Sequence, residues 1–237
     1  MASYFLINEF TPVPAASLAP FETGESYKVT AGKITKEVKD FKTVTRQVIA
    51  NLEGGYYNPA PGYNHPGSRD PRYSASGETM FGIDRKAGGT INTTAAGVKF
   101  WKKIDEIQAK TKWTWNYIPP DPLQTELIDL VIQMQEEPFS KYLKKYVPDP
   151  KAQAAIKSDG RLLFNFVYAT WNGPGWFQGW GREISEAYKK GKTSSEDLLK
   201  LFVARRINNA NVLSGGNAQN SLINQGGYKI KKLIGLE

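Results

Sequence analysis

From Asp40 to Gly55 the chain carries a helical stripe that ends abruptly. Val44, Val48, Ile49 and Leu52 recur at helical spacing, Glu53 follows, and Gly54-Gly55 closes the run as glycine does past a helix C-terminus. The next stretch, 56–92, holds Asn58-Pro59, Pro61-Gly62, His65-Pro66-Gly67 and Gly88-Gly89 without any helical period, which predicts loops with a short β-hairpin. Helical patterning then resumes for most of the remaining chain. Such a layout confines the fold to a mostly α, α+β body with a small loop or β lobe inserted after its first core helix.

The later helices can be placed from caps and periodicity. Thr93 or Thr94 precedes a helix carrying Val98, Trp101, Ile104 and Ile107. Asp121-Pro122 opens another, with Asp at the N-cap, Pro at the first helical position and Gln124 at the third. Its apolar face is Leu127, Ile128, Val131, Ile132 and Met134, and Pro138 is expected to bend or break it before 139–147. Further helices are expected at 161–170, 183–189 and 195–211, the last capped by Ser194 or Ser195, with a short one in the tail 226–234. Residues 1–38, with Pro12, Pro14 and Pro20, read as an extended arm or anchor, leaving 39–237 as the main domain.

Composition narrows the chemistry. A chain of 237 residues, 40% hydrophobic and with six Trp and twelve Tyr, can bury a real core. The absence of cysteine excludes disulfides, zinc–thiolate sites, iron–sulfur clusters and a thiol nucleophile. With His65 the single histidine, in a turn, imidazole catalysis and multi-histidine metal sites are disfavoured, and no cofactor or metal is expected. The formal charge of +8 favours a polyanionic partner, yet the lysines are scattered and form no basic stripe, so nucleic acid is not expected. No segment approaches a membrane span, and the N-terminus lacks the basic region and apolar length of a secretory signal.

Glu53 is the residue with the most specific chemical reading. A carboxyl group delivers a proton to a leaving glycosidic oxygen when its pKa is raised, and both apolar surroundings and the negative end of a helix dipole raise it. The loop that follows supplies Tyr, Asn and Ser for a polar sugar, with Asp70 and Glu78 as local carboxylates and Thr79 as a hydroxyl able to hold a water. A glutamate before Gly-Gly is equally the composition of an ordinary solvated helix end.

Glu53-Gly54-Gly55-Tyr56-x-Asn58, followed by Ser76-Gly77-Glu78-Thr79-Met80-Phe81-Gly82-Ile83, resembles glycoside hydrolase family 108, whose N-acetylmuramidases carry E-G-G-Y/F-x-N and then G-G-x-T-x-Y/W/F-G-I. Asn165–Trp180 and the segments around Ala204-Arg205-Arg206 and Gly226-Gly227-Tyr228 resemble later, looser blocks of that family, and the part from about 150 to 237 resembles its peptidoglycan-binding region. The resemblance implies a lysozyme-like fold and a muramidase that hydrolyses the β-1,4 bond between N-acetylmuramic acid and N-acetylglucosamine. It implies Glu53 as general acid and Thr79 as the cleft threonine, and leaves Glu78 at a variable position. Ser76 stands where the family has its first glycine, and twenty-six positions separate Glu53 from Thr79.

Asp70 is the candidate second carboxylate, and Tyr56, Tyr57, Asn58, Glu78 and Phe81 are the candidate substrate contacts. Trp171, Trp176 and Trp180 surround Gly173-Pro174-Gly175, where a core role leads over sugar stacking. The expected partner is peptidoglycan, with a viral structural protein as a second partner through residues 1–38. A phage origin would locate the protein in the host cytoplasm before release, or in the virion. Two other readings stand beside this one: a lytic transglycosylase acting on the same bond, and a non-catalytic wall-binding or virion protein with a lysozyme-like fold.

Overall fold

The computed structural model describes residues 33–53, 57–58, 78–86, 88–111, 119–171, 173–213, 230 and 233–236, with the backbone alone at 53, 57–58 and 206–213. Most of the expected arm 1–38 and most of the tail 226–234 therefore lie outside the described residues. Seven α-helices are described: α1 Phe41–Val48, α2 Ala95–Lys110, α3 Leu123–Tyr146, α4 Pro150–Ser158, α5 Gly160–Trp171, α6 Pro174–Lys189 and α7 Ser195–Leu213. Three two-residue strands lie between α1 and α2: β1 Tyr57–Asn58, β2 Thr79–Met80 and β3 Ile83–Asp84. The mostly α architecture with a small β element after the first helix follows the sequence pattern.

Helix α5 is the centre of the body. Every one of its residues except Arg161 is buried, and it packs against α1, α3, α4, α6 and α7. A helix apolar on all sides is stable only when surrounded in this way. Phe166 joins the layers: its ring lies 5.1 Å from Phe177 and 6.0 Å from Trp180 of α6, and 5.4 Å from Phe202 of α7. Trp171 and Trp180 are core residues, as their position around the Gly-Pro-Gly turn suggested, and Trp176 packs half-buried against Trp180.

Capping accounts for several helix starts. Asp40 accepts from the Thr43 amide before α1, and Thr94 accepts from the Gly97 amide before α2. Asp149 accepts from Lys151 and Ala152 before α4, and Ser194 accepts from Asp197 before α7. Three expectations are corrected. Helix α3 begins at Leu123 with Pro122 at the cap, one residue later than expected, and Asp121 instead receives both the amide and the hydroxyl of Thr125. It runs unbroken past Pro138, which is itself buried. The hydrogen bond lost at proline is outweighed by burial of the flanking turn, where Phe139 packs 5.1 Å from Phe41 and 5.9 Å from Phe177.

The third correction is α6, which starts at Pro174 rather than near 183. Gly181 is a contact point within it and not a break: a β-carbon there would sit 2.3 Å from the carbonyl oxygen of Tyr146. Helix α4 carries no strong stripe in the sequence and was not anticipated.

Residues 33–38 form a strap that ties the two ends of the body together. The Ile34 amide donates to the Leu233 carbonyl at 2.8 Å, and the Gly160 amide donates to the Lys36 carbonyl at 3.0 Å. The crossing is too close for a side chain, since a β-carbon on Gly160 would lie 2.1 Å from the Val38 oxygen and 2.4 Å from the Thr35 oxygen. Gly160→Ala is expected to cost about 1–3 kcal/mol as the strap or the start of α5 shifts. Thermal unfolding of the variant measures this, and an unchanged midpoint would show that the strap does not contribute to stability.

Asp159 caps α5 and grips Arg161 through both oxygens, at 3.0 and 2.8 Å, while Arg161 also reaches Glu196 at 2.7 Å. Burial alone would raise the Asp159 pKa. The hydrogen bonds from Arg161 and Ser195 outweigh it and hold the carboxyl below the ordinary aspartate range. A depressed folded-state value stabilises the fold above the unfolded-state value and loses that contribution as pH falls through the folded one. Asp159→Asn is therefore expected to lower the melting temperature at neutral pH and to flatten its decline below about pH 4. Parallel acid limbs in the two proteins would contradict this.

Candidate functional site

The end of the first helix is not an ordinary α-helical terminus. After Val48 the backbone widens into a π-helical turn, Ile49–Glu53, and Glu53 is its last residue. Such turns are rare, and they are frequent at functional sites. Ile49, Ala50, Asn51 and Leu52 are all buried, so the turn is held by core packing right up to Glu53. The Asn51 amide nitrogen donates to the carbonyl and the side-chain oxygen of Gln47, at 2.9 and 3.0 Å, which anchors the widened turn to the helix before it.

Four residues after Glu53 the chain enters the sheet, a separation of at most about 14 Å even when fully extended. The three strands are antiparallel in the order β1-β2-β3. Their register pairs Asn58 with Thr79 and Thr79 with Asp84, so these three residues form one row across the sheet. Met80 pairs with Ile83 across a two-residue turn at Phe81-Gly82, with φ of 51° and 71°. Positive φ at both positions is the requirement of a type I′ hairpin turn, and phenylalanine is strained there. What holds it is burial: Phe81 is fully enclosed in the core and its carbonyl accepts from the Trp171 indole at 3.3 Å.

Two polar residues of that row are inside the protein. Thr79 is 8% exposed and Asp84 3%, and the Thr79 hydroxyl donates to Asp84 Oδ1 at 2.8 Å. The backbone beneath them is braced from the 3-10 turn Gly89–Thr93 that leads into α2. Asn92 Nδ2 donates to the carbonyls of Asp84 and Arg85, at 2.9 and 2.8 Å, while Trp101 Nε1 donates to Asn92 Oδ1 at 2.9 Å. Arg85 pairs with Glu78 at 2.5 Å and with Asp105 at 2.6 Å, and lies 5.1 Å over the Trp101 ring. Its positive charge is held first by the hydrogen bonds to Asp105, against the opposing effect of burial, and then by Glu78.

The residues expected from sequence divide accordingly. Glu53 ends the π-turn, Tyr57 and Asn58 form β1, and Thr79 lies opposite Asn58. Glu78 is engaged by Arg85 at the base of the hairpin, and Phe81 is a core residue whose ring reaches no surface, so it is not available as a sugar contact. Tyr56 and Asp70 lie outside the described residues. Asp84 was missed, although the hairpin register that pairs it with Thr79 can be read from a two-residue turn at Phe81-Gly82.

Among the described residues no group of three His, Asp or Glu side chains is arranged to hold a metal ion, and no helix is long and apolar enough to cross a membrane. A shallow cavity of about 290 Å³ lies along the strap between Lys33 and Gly235 and shares no residue with the hairpin. In comparisons with known proteins, no family model, no curated protein and no solved structure matches the chain.

Proposed function

We infer that the protein is a peptidoglycan-cleaving glycosidase, a muramidase with a lysozyme-like arrangement, in which Glu53 acts as general acid. The observation that carries this reading is the pairing of a buried Thr79–Asp84 hydrogen bond with a π-turn ending in Glu53, joined through the first strand of one small sheet. The resemblance of the Glu53–Asn58 and Ser76–Ile83 segments to glycoside hydrolase family 108 supports the substrate, and the charge of +8 suits an anionic wall.

In the reaction Glu53 transfers its proton to the glycosidic oxygen as the bond from that oxygen to the anomeric carbon breaks. A water oxygen bonds to the anomeric carbon, and the proton that water loses restores the Glu53 carboxyl over the cycle. Thr79 serves in the cleft, and Asn58, Tyr56 and Tyr57 contact the sugar. Residues 1–38 would suit attachment to a viral structural protein.

Digestion of purified peptidoglycan with mass spectrometry of the products tests the reading. New reducing ends mark hydrolysis. Anhydro ends would instead establish a transglycosylase, and intact glycan would leave a wall-binding or structural role.

A further inference from the structure

We propose that Asp84 is a positioning residue for the reaction, acting through Thr79 to hold the attacking water. The inference rests on the glycosidase reading and names the partner that reading lacks on the side of the water.

An ionised carboxylate has only acceptor sites, so the 2.8 Å contact uses the single proton of the Thr79 hydroxyl. Once that proton is committed to Asp84, the oxygen of Thr79 can meet any further group only as an acceptor. A water arriving there must donate, which turns its own lone pairs away from Thr79 and leaves them for a carbon electrophile. A hydroxyl backed by a carboxylate is also a stronger acceptor than a hydroxyl alone, because successive hydrogen bonds polarise one another.

The surroundings support a positioned pair over an incidental one. Placing a carboxylate at 3% exposure is unfavourable unless its acceptor sites are met. Its backbone is fixed by Asn92, which is fixed in turn by Trp101, so the carboxylate is carried on a rigid support. Thr79 is the middle residue of its row, with Asp84 on one side and Asn58 on the other. The strand that bears Asn58 is the one that follows Glu53, so the row adjoins the general acid along the chain.

A double-mutant cycle decides the matter, with kcat and KM measured on soluble glycan strands and the fold checked by circular dichroism and thermal unfolding. Asp84→Asn keeps the shape but offers an amide that can donate to Thr79 and reverse its hydroxyl. It is expected to lower kcat by up to about a hundredfold with KM nearly unchanged. Thr79→Val is expected to do the same, and Thr79→Ser to restore most of the rate. In the Thr79→Val background Asp84→Asn should add almost nothing, since the two residues act as a unit.

A full, independent penalty from Asp84→Asn in that background would overturn the proposal, as would an active folded Asp84→Asn enzyme with unchanged kcat. A wild type that releases no glycan ends would overturn the glycosidase reading and this inference with it. An active wild type that is abolished by Glu53→Gln but indifferent to Asp84→Asn would overturn this inference alone.

Discussion

Glu53→Gln is expected to reduce glycan cleavage by about 10²–10⁴-fold while leaving the protein folded. The amide has nearly the shape of the carboxyl group but holds no transferable proton, so the leaving oxygen departs unprotonated. The structural cost is small for a physical reason: the residues that hold the turn are Ile49, Ala50, Asn51 and Leu52, all buried, while Glu53 follows them as the terminal residue. The measurement is the rate of new reducing ends from purified peptidoglycan, with the melting temperature as a control. Equal rates in the two proteins would remove Glu53 from the mechanism, whatever the rest of the site does.

Trp180→Ala is expected to be the most destabilising of the core substitutions, at about 3–5 kcal/mol. The side chain is 1% exposed, stacks on Phe202 at 5.4 Å with an interplanar angle of 14°, and meets Phe166 and Trp176 edge-on at 6.0 and 6.5 Å. Removing it leaves a cavity where α5, α6 and α7 converge. The indole nitrogen, however, is buried without a hydrogen-bond partner among the described residues. Trp180→Phe removes that unsatisfied donor, worth about 1–3 kcal/mol, and so offsets part of the lost packing. Denaturant unfolding should place Trp180→Phe much closer to wild type than to Trp180→Ala. Equal losses would mean that packing volume alone governs the position.

What the sequence revealed, and what it did not, divides along the range of the interactions involved. Val44, Val48, Ile49 and Leu52 were legible as a buried face because helical periodicity is local, and all four are at most 2% exposed. The same holds for the Thr94 and Ser194 caps, each a contact within three residues. Pro138 misled because proline acts against a helix locally, whereas the opposing force comes from Phe41 and Phe177, far away in sequence. The start of α6 at Pro174 was not legible for the same reason: Gly181 has its place inside the helix because of the backbone of Tyr146, on another helix.

The candidate site shows the same division. Glu53 and Thr79 stood out through short motifs, but the π-turn has no sequence signature, and Asp84 acquires its partner only once the strand register is known. Phe81 was read as a sugar contact because an aromatic beside a candidate site invites that reading. Its ring is instead spent on holding a left-handed turn inside the core.

The hydrogen bond between Ile34 and Leu233 makes the described chain almost a closed ring, and this bears on how the protein would carry a mechanical load. A force applied to whatever precedes residue 33 enters at the strap, where the backbone of Lys36 is fastened to Gly160 and that of Ile34 to Leu233. The pull is shared with the central helix and the C-terminal segment before it reaches Phe41. The widened turn at Glu53 and the hairpin beyond it lie downstream of that fastening. A load entering from the first residues thus meets this fastening before it meets the hairpin.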